Sequence, residues 1–156
     1  MVDKTKQTKA LIADATIMVI FGITGDLSRK KLIPALLDLE NAGLLPEKFK
    51  VMGFSRREFP PEEFIPYIRG IIDSKKHNHP KVVIERFLKK LAYCPALFDD
   101  AHAYRRLGEQ IIEIEKNEFK KCANKLYYLA VPPHLYEGIF RQLADSGLTI
   151  PCGGGE

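Results

Sequence analysis

Short, unbroken apolar runs alternate along this chain with longer stretches in which apolar residues recur at helical spacing. Ile17 to Phe21 is β-branched and aromatic throughout, the pattern of a strand buried on both faces. Leu32, Leu36, Leu37 and Leu39 then mark the apolar face of a helix. Pro34 interrupts it, because proline in a helix interior loses a hydrogen bond. The pattern therefore predicts an irregular turn over Leu27–Lys31 and a regular helix from near Ile33, with Pro34 in its first turn. Asn41, Gly43 and Pro46 close it. Phe49 to Ser55 reads as the second strand, and Pro60-Pro61 opens a helix running to about Ser74.

Lys75 to Pro80 is a polar loop. Lys81 to Leu91 is helical again, with Val82, Val83, Phe87 and Leu91 apolar. Ala92 to Phe98 reads as a short third strand interrupted by Pro95. Asp99-Asp100 cap a helix carrying Tyr104, Leu107, Ile111 and Ile114 at helical spacing. A strand over Leu126–Val131 stops at Pro132-Pro133, and Leu135, Tyr136, Ile139, Phe140 and Leu143 mark a last helix. Strands separated by helices predict an α/β fold with a doubly wound parallel sheet. After Gly147 the chain runs LTIPCGGGE where such a fold would continue to another strand, so the sheet is expected to be incomplete at the C-terminus.

Composition narrows the class without naming a function. Hydrophobic residues are 46% and charged residues 28% of 156, which places the chain with ordinary globular proteins and excludes a disordered one. The net charge of +4 is too small to imply nucleic acid and suits a small anionic ligand equally well. Cys94, Cys122 and Cys152 are far apart and odd in number, with no C-x-x-C pair, so three free thiols in a reducing cytoplasm are expected, and no metal site. His77 and His79 form H-x-H in a polar loop, and two ligands do not make a metal site. The lysine-bearing first residues lead into no continuous apolar stretch, so a signal peptide is not predicted. No apolar run approaches the ~20 residues that cross a bilayer, and no membrane partner is expected.

The chemistry concentrates in Ile17 to Lys31, IMVIFGITGDLSRKK. A strand feeding a glycine turn into a helix aims free backbone N–H groups at one spot, where the helix dipole adds partial positive charge. That geometry binds phosphate. Gly22 and Gly25 are spaced G-x-x-G, one glycine short of the general G-x-G-x-x-G dinucleotide fingerprint. The first would let the chain bend and the second would let N–H groups approach a pyrophosphate. Thr24 offers a hydroxyl to the same phosphates, or equally to its own turn. Asp26 reads as a structural N-cap. Arg29, Lys30 and Lys31 oppose the helix dipole, a loss that an anionic ligand would offset; a solvated helix face is the equal alternative. Arg56 and Arg57 follow the second strand, where an NAD-binding sheet carries an acid for the ribose hydroxyls and an Arg accommodates a 2′-phosphate. Glu58 comes too late to be that acid. Pro132-Pro133 ends a strand on the side where open sheets bind cofactors. Tyr136, one turn into the next helix, has the periodicity of a core residue. A G-x-x-x-x-G-K-[ST] loop is absent, and no Tyr is followed four residues on by Lys.

The segments FGITGDLSRKKLIPAL, GLLPEKFKVMGFSRREF and YLAVPPHLYEGI resemble, in that order, the N-terminal coenzyme domain of the glucose-6-phosphate 1-dehydrogenase family. The LFDD segment is similar to that family's Tyr-Asp-Asp segment but departs from it with Leu97-Phe98 before the acids. The resemblance implies a Rossmann-like domain binding NADP, with NAD as the alternative. It implies contacts from Gly22, Ile23, Thr24, Gly25, Asp26, Leu27, Ser28 and Arg29, with Lys30 or Lys31 near the phosphates. It places Arg56 on the 2′-phosphate and the corner from Ala130 through Pro132 to Pro133 beside the cofactor. Tyr136 becomes an even choice between core and cofactor contact.

The family reaction implied is oxidation of glucose 6-phosphate to the 6-phosphogluconolactone with hydride passing to NADP, in the oxidative pentose phosphate pathway. It needs a general base within reach of the sugar hydroxyl, and no residue here is a candidate, so no catalytic residue is assigned. That base and the sugar-phosphate lysines belong to a large α+β domain expected to be absent. Residues 1–14 are accordingly read as a flexible N-terminal segment and 15–156 as a partial dinucleotide-binding domain, cytoplasmic and inactive alone. Its expected partner is NADP, with glucose 6-phosphate only if the missing domain is supplied. The oligomeric state stays open. The rival reading is a stand-alone, non-catalytic dinucleotide or phosphate binder.

Overall fold

The computed structural model describes residues 14–60 and 62–152. Most of the expected N-terminal segment, Pro61 and the terminal glycines lie outside the described residues. The first strand, β1 (Thr16–Phe21), pairs in parallel with β2 (Phe49–Ser55) on one side and β4 (Asn124–Leu129) on the other. The third strand, β3 (Leu91–Pro95), lies outside β2, giving the order β3-β2-β1-β4. The register sets Phe21 opposite Phe54 and Leu129, so β1, β2 and β4 end level with one another. All four described strands are parallel, as the alternation of strand and helix predicted.

The period-2 alternation of β1 divides the core. Ile17, Val19 and Phe21 face one layer with α4 (Ala101–Glu113) and α5 (Tyr136–Asp145). Met18 and Ile20 face the other, with α1 (Ile33–Asn41), α2 (Phe64–Asp73) and α3 (Lys81–Leu88). This is why the whole of β1 after Thr16 is apolar: both faces are buried. Among the described residues, strand β4 has one covered face. Tyr127 and Leu129 pack on the α4–α5 core, whereas Leu126 is 51% and Tyr128 37% exposed on the other side.

The expected irregular turn is a π-helical one over Ser28–Leu32, leading into α1 with Pro34 in its first turn. The physical reason is visible at the carbonyl four residues before the proline. Pro34 has no N–H for it, and the Lys30 oxygen accepts instead from Lys75 Nζ at 2.9 Å. On the same helix Glu40 is buried, at 3% exposure, between Arg86 and Lys90. Burial is the largest single effect and pushes its carboxyl up, but the hydrogen bonds and positive charges of Lys90 and Arg86 together outweigh it and hold the carboxyl below the ordinary 4.5.

Several expectations need correction. Asp26 does not cap its helix; its carboxylate turns outward to Arg29 and Lys30, and the Arg29 hydrogen bond holds it below the ordinary aspartate range. Asp100 does cap α4, accepting from the His102 N–H at 3.0 Å. Leu91 belongs to β3 and not to the preceding helix, while Leu39 and Val82 are exposed. The last strand is shifted to Asn124–Leu129, ahead of the predicted Leu126–Val131. The three cysteines are not all free. Cys122 and Cys152 are disulfide-bonded with Cα atoms 6.0 Å apart, and Cys94 is a buried free thiol that burial pushes to a raised pKa. Topology made this pair. The loop before β4 and the segment after α5 return to the same end of the sheet, and a spacing of 30 residues carries no such signal.

Candidate cofactor site

The level ends of β1, β2 and β4 open into a cleft of about 1280 Å³. Its place follows from the strand order: β1 sends its chain to one neighbour and receives β4 on the other, the switch point where open parallel sheets bind ligands. Gly22 and Gly25 form the floor with Thr24, Ser55 to Arg57 one wall, and Ala130 to Pro132 the other.

The turn after β1 is fixed by its own hydrogen bonds. The Gly22 N–H donates to Phe54 O at 2.8 Å, and its carbonyl accepts from the Gly25 N–H at 2.9 Å and the Ser28 hydroxyl at 3.0 Å. Thr24 and Ser55 hydroxyls share a 2.6 Å bond, which ties the turn to the end of β2. Gly22 has φ +82°, and a Cβ there would stand 2.5 Å from the Ala130 carbonyl oxygen. Only glycine lets the turn pass this close to the β4 corner. The helix that follows starts at Asp26, directly after the floor residue Gly25, so its first N–H groups have no intrahelical partner.

Arg56 is exposed at the first position beyond β2, directly on the cleft wall. The Arg57 guanidinium lies 4.6 Å from the Phe59 ring centre and 4.7 Å from that of Tyr67. Tyr93 anchors the wall from beneath by donating to the Ser55 and Arg57 carbonyls. Burial pushes its pKa up to about 12, so the donating proton is retained near neutral pH. The carboxylates in the lining, Asp99 and Asp145, stand before α4 and at the end of α5. None occupies the β2 end, where a ribose-binding acid would sit.

Among the residues singled out in the sequence, Gly22, Thr24, Gly25, Arg56, Ala130 and Pro132 line the cleft together. Ile23 is buried in the core, and Ser28 is buried beneath the turn it holds. Asp26, Leu27, Arg29, Lys30 and Lys31 are exposed at the helix start, with Arg29 and Lys30 facing Asp26. Tyr136 stands outside the lining, half-buried, its ring 6.2 Å from that of Phe140. Reading by motif missed Ser55, and it missed the far end of the cleft, formed by His134, Arg141 and Gln142. Ser55 was legible as the last residue of a strand. Arg141 and Gln142 gave no signal, because a charged and a polar residue on a helix read as a solvated face.

Fold and cleft together define a dinucleotide-binding domain of the Rossmann type. The chain belongs to the glucose-6-phosphate dehydrogenase family: the sequence model of that family's NAD binding domain matches residues 19–153. Glucose-6-phosphate 1-dehydrogenase 2 of Mycobacterium tuberculosis is 35% identical over 152 residues, which cover 97% of this chain and 29% of the relative. A form from Arabidopsis thaliana named cytoplasmic is 31% identical over 81% of this chain. Among solved structures, a glucose-6-phosphate dehydrogenase in complex with glucose 6-phosphate superposes with a TM-score of 0.76 at 29% identity, over 86% of this chain and 28% of the other. The Mycobacterium avium enzyme gives 0.74 with the same coverage. The chain therefore spans under a third of the length of these relatives.

Proposed function

We propose that this chain is the NADP-binding part of a cytoplasmic glucose-6-phosphate dehydrogenase, and that it binds the cofactor without catalysis by itself. One observation carries the choice of NADP: Arg56 stands on the cleft wall at the end of β2, where an NAD site would carry an acid. The residues present fit the cofactor. Helix-start N–H groups, a turn with no room for a side chain at Gly22, and the Arg56–Arg57 wall all suit phosphate groups. When bound, the cofactor supplies the hydride acceptor for sugar oxidation. This chain's part is to hold and orient it: the glycine turn receives the pyrophosphate, Arg56 takes the 2′-phosphate, and the Ala130–Pro132 corner closes the opposite side. Glucose 6-phosphate and a general base are brought by a catalytic α+β domain outside these 156 residues.

Calorimetric titration tests this, with wild type beside Arg56→Ala and NAD as competitor. A charge-assisted contact contributes about 1.5–3 kcal/mol, so NADP binding in the variant should weaken roughly 10- to 150-fold while NAD binding changes little. Equal weakening of both cofactors would remove Arg56 from the 2′-phosphate. Absence of saturable NADP binding by folded protein would remove the site.

A further inference from the structure

At the end of the sheet opposite the cleft, the disulfide-bonded cysteines sit among basic groups. Cys122 precedes β4 and Cys152 follows α5, and both residues are exposed. Strand β4 separates them from the cleft by six residues, roughly 20 Å. Lys125 Nζ lies 3.6 Å from Cys122 Sγ and 4.0 Å from Cys152 Sγ, its side chain only 16% exposed. Beside Cys122 a shallow hollow of about 470 Å³ is lined by Lys116, Lys120, Lys121 and one acid, Glu115, with Ile112 on one side. None of these three lysines makes an ion pair among the described residues. Glu115 is the acid facing the pair. Its carboxylate is engaged by the Ala123 N–H at 2.7 Å and by Lys125 at 3.2 Å.

We propose that Cys122 and Cys152 are a reversible thiol–disulfide couple, oxidised by an anionic low-molecular-weight disulfide that docks in the basic hollow beside Cys122. The surroundings give the two sulfurs different parts. Cys122 has the ammonium nearer and the free lysines around it, so in the reduced protein it is the one held as thiolate, the nucleophilic form. Cys152 Sγ lies 3.2 Å from the Ala123 carbonyl oxygen, an acceptor that favours the protonated thiol. The Cys122 thiolate attacks the small disulfide, forming a mixed disulfide and releasing one small thiolate. Cys152 then loses its proton to solvent and attacks the Cys122 sulfur, releasing the second. Two protein thiols are oxidised and one small disulfide is reduced to two thiols.

The bridge closes a unit of fold. It joins the two ends of the segment that holds β4 and α5, while Tyr127 donates to the Leu148 carbonyl at 2.6 Å and lays the segment after α5 against the strand. A metal site is the competing use of the same atoms, since Glu115, Cys122 and Cys152 offer ligand atoms within 4.8 Å of one another. The Lys125 ammonium stands within 4.0 Å of all three and repels a cation, which favours sulfur exchange.

The test equilibrates the full chain in glutathione buffers of stepped thiol-to-disulfide ratio, blocks thiols by alkylation, and maps the products by mass spectrometry. Two thiols should disappear and return with the ratio, mapping to Cys122 and Cys152, with Cys94 alkylated throughout after unfolding. At pH 7, Lys125→Met should slow bridging by roughly a few-fold, because losing the ammonium lowers the thiolate fraction while the less acidic thiolate attacks somewhat faster, and Lys125→Arg should restore it. Replacing Lys116, Lys120 and Lys121 together by Ser should slow oxidation by glutathione disulfide but not by the uncharged 2-hydroxyethyl disulfide. A pair that stays reduced at every ratio, bridging at the wild-type rate in Lys125→Met, or one tightly held zinc per reduced chain on direct titration would each overturn the proposal.

Discussion

Replacing Gly22 by Ala tests the geometry of the cleft floor. Two costs add. A side chain at φ +82° costs roughly 1–2 kcal/mol. The added Cβ would also meet Ala130 O at 2.5 Å and Val131 Cγ1 at 3.0 Å. The carbonyl cannot retreat alone, because the Ala130 N–H is bonded to Phe21 O at 3.0 Å and so extends the β1–β4 pairing. Overpacking of this kind costs roughly 1–3 kcal/mol, so the total is about 2–5 kcal/mol. For a domain of this size that lowers the melting temperature by roughly 4–20 °C. Gly43→Ala is the control. Its φ is +68°, but nothing lies within 4 Å of the added atom, so it bears the conformational cost alone. Thermal unfolding of both variants by circular dichroism, with NADP titration of whatever remains folded, separates the terms. If Gly22→Ala melts no lower than Gly43→Ala, the close approach to Ala130 is not what requires glycine there.

Other consequences can be measured on the same protein. Glu40→Gln should lower stability, and the direction of its pKa fixes the pH range: the folded value lies below the ordinary 4.5, so the contribution is complete above 4.5 and disappears as pH falls through the folded value. Denaturant midpoints of wild type and Glu40→Gln should therefore converge in acid, and a constant gap down to the lowest pH would contradict the Arg86–Lys90 account. Cys152→Ser opens a bridge spanning 30 residues and should cost about 3–4 kcal/mol by the loop-entropy relation, read as a lower urea midpoint in oxidised protein and no change in reduced protein. Ser55→Ala leaves the Thr24 hydroxyl without its partner and should cost about 1 kcal/mol. A wild-type melting curve for that variant would mean the tether does not stabilise the turn.

How much of this was legible depended on how local each cause was. An irregular turn near Leu27–Lys31, though not its π-helical form, could be read because Pro34 breaks an otherwise regular pattern within one helix, and the strand Phe49–Ser55 because both its ends are marked nearby. Asp26 was misread because an acid before a helix is a good N-cap on average. Here Arg29 and Lys30, one turn on, draw it outward. The Cys122–Cys152 bridge and the buried Glu40 pair across 30 to 50 residues, and no local pattern announces such partners. The cleft was half legible for the same reason. Its glycine turn and Arg56 are strand-end features, whereas Arg141 and Gln142 reach it only because α5 packs where it does.

The site's order does not depend on an anion being present. Its floor is held by neutral hydrogen bonds, from Gly22 to Phe54, Ser28 to Gly22 and Thr24 to Ser55, all satisfied within the protein. The cations nearest the helix start are divided in a different way. Arg29 and Lys30 already face Asp26, while Arg56 makes no ion pair among the described residues. A phosphate entering the turn must compete with Asp26 for Arg29, whereas Arg56 has no such acidic competitor among the described residues. Discrimination by charge should therefore reside mainly in Arg56. Asp26→Asn supplies the check: by releasing Arg29 it should tighten NADP and NAD alike and leave their ratio unchanged. A change in that ratio would place Arg29, and not Arg56 alone, at the 2′-phosphate.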